Sequence, residues 1–114
     1  MDDRRGKQRL SVSLDAVWDG TTGHHPARIT NMSEGGCYLD SVGEVRRGEI
    51  VGFRVLLPDG DWLYLEGEVR HHTAGLGFGV QFVDLDEGQE RKIELVIRIA
   101  EETGGATAAH LVEE

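Results

Sequence analysis

The chain has 114 residues and a formal net charge of −9, with 39% hydrophobic and 29% charged side chains. Those figures fit one folded domain with a single modest core, and no apolar run approaches the ~20 residues that cross a bilayer. The acid excess argues against a general DNA or RNA coat, whose affinity rests on a broad positive surface.

Against that balance, Arg4, Arg5, Lys7 and Arg9 gather in RRGKQRLSV (4–12), while Asp84, Asp86, Glu87, Glu90, Glu94, Glu101, Glu102, Glu113 and Glu114 crowd the other end. Such a distribution suits a small, multiply charged ligand better than a long polymer. Residues 1–9 read as a flexible basic arm, with no apolar periodicity and with Gly6 in their midst. The charged start is not that of a secretory leader, and the single Cys37 has no partner for an internal disulfide. A cytoplasmic location is therefore the expectation, with Cys37 as a buried small side chain.

From Leu10 the pattern changes. Leu10, Val12, Leu14 and Ala16 alternate with Ser11, Ser13, Asp15 and Val17, the period of two of a half-buried strand. WDGTTGHHP (18–26) is dense in turn formers and reads as a hairpin loop. A second strand is expected over 27–31, running into NMSEGG, and a short third over CYLDS. IVGFRVLLP (50–58) reads as the fourth strand and PDGD as a tight turn. A fifth follows over 63–70 and a sixth in GFGVQFVDL (77–85). Short strands separated by such turns point to a closed barrel or sandwich.

The last periodic segment is helical. Ile93, Val96, Ile97 and Ala100 fall at i, i+3, i+4 and i+7. Asp86 is placed as N-cap, with Gln89 completing a capping-box pattern. Thr103-Gly104-Gly105 is expected to end the helix, so the ordered domain is expected over 10–102 with a disordered tail over 103–114.

Two motifs carry chemistry. Arg5-x-x-x-Arg9, preceded by Arg4, places guanidinium forks where they can bond two oxygens, or the N7/O6 edge of guanine, at once. Alone, the pattern also describes a solvated basic tail. Asn31-x-Ser33-x-x-Gly36 ends a strand; residues two apart in extended chain share a face, and an amide with a hydroxyl can satisfy a base edge and a phosphate. Gly35 and Gly36 permit a tight turn whose N–H groups can face an anion. Alone, this is also an ordinary polar turn.

Taken together, RxxxR, then [D/N]xSxxG between two strands, then a barrel with GFGVQF and a terminal helix, resemble the PilZ family of bacterial receptor domains for cyclic di-guanylate (c-di-GMP). The resemblance covers roughly residues 4 to 100. It implies a mainly β fold, a six-stranded antiparallel β-barrel with a C-terminal α-helix. It implies that Arg5 and Arg9 clamp the ligand's phosphates and guanine Hoogsteen edges. Asn31 and Ser33 would meet guanine and the adjoining phosphate, and Gly36 would let the backbone come close. Arg4 implies two intercalated c-di-GMP molecules. An outward residue on the fifth strand stacks on guanine in some members; Arg70 has that parity, and a plain surface cation is the alternative.

The resulting expectation is a c-di-GMP receptor or adaptor that changes conformation on binding and signals to a partner protein of unknown identity. The alternative is a family-like protein adaptor that does not respond to nucleotide. No enzyme is expected, since Ser11, Ser13 and Ser33 lack any accompanying catalytic signature. No metal site is expected either. His24-His25 and His71-His72 are adjacent pairs, poor local chelators in a strand, and read as surface loop histidines.

Overall fold

The computed structural model describes residues 9–102. The readings of Arg4, Arg5 and the rest of the arm, of the Thr103-Gly104-Gly105 helix stop and of the 103–114 tail lie outside those residues.

Six strands, β1 (Leu10–Gly20), β2 (Gly23–Met32), β3 (Gly36–Asp40), β4 (Ile50–Leu56), β5 (Trp62–Thr73) and β6 (Gly77–Phe82), precede one helix, α1 (Glu87–Glu102). They close into a barrel in the order β1-β2-β3-β6-β5-β4, with every neighbouring pair antiparallel. Closure gives every strand a neighbour on both sides.

The alternation in β1 places Val12, Leu14, Ala16 and Trp18 inside. They meet Ile29, Leu39, Phe53, Leu65, Val69 and Phe78 in one core, where Trp18 packs edge-on against Phe78 at 5.1 Å. Each large apolar side chain removed from water there contributes about 1.5–3 kcal/mol.

The first hairpin differs from the sequence reading. Residues 18–26 are not a loop: β1 runs to Gly20 and β2 starts at Gly23, leaving Thr21 and Thr22 as the turn. Turn-forming residues are tolerated because cross-strand partners fix them: β1 from Ala16 to Asp19 is paired to β4 on its other side. Trp18 stacks on His25 at 4.5 Å, and Asp19 pairs with His24 at 2.5 Å. Pro26 costs no ladder bond to β3, since β2 meets β3 only from Arg28 onward. All four of His24, His25, His71 and His72 therefore lie in strands, not loops.

β5 runs three residues beyond its expected end, to Thr73, whereas β6 stops at Phe82, before VDL. At the β4–β5 turn Gly60 takes φ +93, and its N–H donates to Leu57 O at 2.9 Å, as the PDGD signal required.

The capping box at α1 is complete: Asp86 Oδ1 accepts from Gln89 N–H at 2.7 Å, and Gln89 Oε1 accepts from Asp86 N–H at 2.8 Å. Ile93, Val96 and Ala100 face the barrel, and α1 packs on β1 and β5. Gln89 also donates to Tyr64 O at 2.8 Å, fixing the first turn of the helix to β5.

Candidate functional site

Register shifts shape one side of the barrel. In β1, Ser11 to Leu14 spans three residues against two in β2, from Asn31 to Ile29. In β2, Ile29 to Asn31 spans two against one in β3. Each extra residue is a β-bulge, which bends a strand and re-aims its side chains. The bulge in β2 buries both Ile29 and Met32 and leaves Asn31 half-exposed between them. Just ahead of β1, Arg9 Nη1 donates to Asn31 Oδ1 at 2.7 Å. The two sequence motifs thus meet.

Ser33 is not a second outward residue of the same strand, as the parity argument had it. It lies past the end of β2, 3% exposed, in the turn that leads to β3. Its hydroxyl accepts from Gly35 N–H at 3.2 Å and donates to Gly36 O at 3.5 Å. Its own N–H donates to Gly36 O at 2.8 Å, and Phe82 N–H donates to Gly35 O at 2.8 Å. The turn is therefore self-bonded and pinned to the end of β6. Gly36 has a structural cause too: a Cβ there would stand 2.2 Å from Val80 O, so only glycine lets β3 run this close to β6.

These elements border a cleft of about 420 Å³. Arg9 stands at one edge, Ser33, Gly35 and Gly36 form the turn, Gly79, Val80 and Gln81 the floor, and Arg70 and His71 the far wall. Among the described residues that line it, two are arginines and none is an aspartate or glutamate. In a chain of net charge −9, this is a local anion-attracting concavity. Arg70 Nη1 donates to Gln81 Oε1 at 2.6 Å, which holds the guanidinium along the wall. Asn31 reaches the cleft through Arg9.

His71, Gly79 and Gln81 were missed in the sequence. His71 reaches the cleft because of a bulge in β5, and Gln81 because its outward parity in β6 faces it; neither carries a motif. Cys37 lies beneath the site, fully buried, and burial pushes its thiol far up despite the nearby Arg9 charge. Protonated at neutral pH, it is a packing residue and not a nucleophile. Among the described residues, no group of three His, Cys, Asp or Glu is placed to hold a metal ion.

The model of one family, the PilZ domain, matches residues 3–98. The chain belongs to the PilZ domain family. PilZ domains are binding modules rather than enzymes. Among curated proteins none matches this sequence.

Solved structures share the PilZ fold at low identity. The PilZ domain of YcgR from Escherichia coli, solved with c-di-GMP, superposes with TM-score 0.76 at 14% identity, over 90% of this chain and 95% of that one. The Bacillus subtilis inhibitor of motility MotI/DgrA gives TM-score 0.72 at 18% identity, over 88% of this chain but 52% of that one. This PilZ chain thus spans about half the length of MotI. MrkH of K. pneumonia, in its apo state, gives TM-score 0.68 at 16% identity, over 90% and 54%. No helix among the described residues is long and apolar enough to cross a membrane.

Proposed function

We propose that this PilZ domain is a receptor for c-di-GMP. The observation that carries the reading is the Arg9–Asn31 hydrogen bond, which joins RxxxR to NxSxxG at the edge of a cleft lined, among the described residues, by arginine and by no carboxylate. C-di-GMP has two phosphates and two guanines. It needs positive charge and bidentate donors at a few points, and Arg9 and Arg70 offer both. The YcgR domain that superposes best on this chain among those described was solved with the same ligand.

In this reading Arg5 and Arg9 take phosphate and guanine Hoogsteen edges. Asn31 and the Ser33–Gly36 turn meet the base and adjoining phosphate, and Arg70 lies against the ligand from β5. Arg4 favours a pair of intercalated c-di-GMP molecules over one. Ligand binding changes the conformation, and with it the surface shown to a partner protein, which is how a domain without catalysis transmits a signal.

Calorimetric titration with c-di-GMP tests this. The reading expects micromolar or tighter binding with two ligands per chain. Absence of heat at high protein concentration overturns it in favour of an adaptor indifferent to nucleotide; a one-to-one isotherm overturns only the paired-ligand part.

A further inference from the structure

Neither sequence motif accounts for the far wall of the cleft. Val69 pairs with Val80 and His71 with Gly79, so β5 carries one extra residue, Arg70, against β6. The bulge turns both Arg70 and His71 to the outside of the barrel, where both are exposed and both line the cleft. Tyr38, Gly79 and His71 form one cross-strand row. A Cβ on Gly79 would stand 2.5 Å from the His71 ring. Its absence lets the imidazole lie across β6 and stack on Tyr38, with ring centres 5.9 Å apart and planes 25° from parallel. Arg70 is held on the other side by Gln81.

The charged and titratable groups about this imidazole come from every side of it. β3 presents Tyr38 and, at the next outward position, Asp40. β5 presents Arg70, His72 and, before the bulge, Glu68. Arg9 stands ahead of β1, and β6 contributes only Gly79 and the neutral Gln81. Neither carboxylate lines the cleft, whereas both arginines do. An anion drawn in by the arginines therefore lies beside a fixed ring that can gain a charge.

We propose that His71 is a proton-linked cation of this site beside its arginines, so that the domain binds its phosphodiester ligand more tightly as pH falls through histidine's titration range. The inference rests on the c-di-GMP reading and deepens it. A bound phosphate favours the charged form of a neighbouring imidazole, while phosphodiesters stay ionised throughout this range. On binding, a ring that is neutral in the free protein gains a proton from solvent, and on release it returns it. By linkage, the factor by which bound ligand raises the ring's proton affinity is the factor by which protonation raises ligand affinity.

The test is calorimetric titration of the full chain with c-di-GMP between about pH 8 and about pH 6, in two buffers of different ionisation enthalpy. Affinity is expected to rise about tenfold across that span, with buffer-dependent heat reporting proton uptake. His71→Gln should flatten the pH dependence to within about twofold. His72→Gln, altering a ring that does not line the cleft, should keep the slope. Independently of any variant, the His71 ring resonances of the wild type should titrate at higher pH with c-di-GMP present than without. If c-di-GMP binds but the wild type shows no pH slope, or His71→Gln keeps it, or the ring titration does not move, the proton linkage is overturned and the receptor reading stands. If the wild type fails to bind at every pH, both are overturned.

Discussion

Arg9 and Asn31, 22 residues apart in sequence, are joined by one hydrogen bond of 2.7 Å between Nη1 and Oδ1. That bond holds the only described arginine of RxxxR at the mouth of the cleft before any ligand arrives. A preset guanidinium loses less freedom on binding than one recruited from solution.

Arg9→Ala should therefore weaken c-di-GMP binding about 10- to 100-fold, the ~1–3 kcal/mol of a bidentate arginine contact. Arg9 is exposed, so the urea midpoint should hardly move. Calorimetry and denaturation on the same preparation separate the two effects, and an unchanged isotherm would contradict the clamp.

Salt gives a second check. Attraction to the cleft runs between ligand phosphates and exposed arginines, which added ions screen. Affinity should fall steadily as sodium chloride is raised from about 0.05 to about 0.5 M. Insensitivity to salt would mean that the arginines do not carry the binding.

Gly36→Ala tests the turn. The new Cβ would meet Val80 O at 2.2 Å, and its three nearest atoms are all β6 backbone, with no flexible side chain to yield. Stability should fall by about 1–3 kcal/mol, the usual cost of overpacking, even without ligand. A variant that keeps the wild-type melting temperature but loses c-di-GMP would make Gly36 a purely ligand-facing residue.

The helix should be energetically separable from the site. Ile93→Ala, at a position 2% exposed, should cost about 2–5 kcal/mol. Asp86→Ala should cost ~1 kcal/mol through the lost cap. In folded protein both should bind c-di-GMP as the wild type does. Thermal melts and titrations read the two quantities, and a binding loss from the cap variant would tie α1 to recognition.

The sequence made legible what depends on local pattern. Period-two alternation marked Val12, Leu14 and Ala16 as inward, and the Asp86–Gln89 spacing marked the helix start. What it hid depends on neighbours far along the chain. The 18–26 hairpin looked like a loop because its polar residues are paired only by their cross-strand partners. Parity put Asn31 and Ser33 on one face, but a bulge needs its partner strand to be seen. The same holds for His71, which one inserted residue in β5 brings to the cleft wall opposite Arg9. Glycines such as Gly36 and Gly79 read as turn or strand formers until the atoms crossing them were known.

The most direct measurement is a proton–nitrogen correlation spectrum of labelled protein titrated with c-di-GMP. The account predicts that Arg9, Asn31, the Ser33–Gly36 turn and the Arg70–His71 bulge shift together along one saturating curve, while the hairpin around Thr21 and Thr22 stays still. Resonances that remain in place at the turn and the bulge, or that move only elsewhere on the barrel, would contradict it.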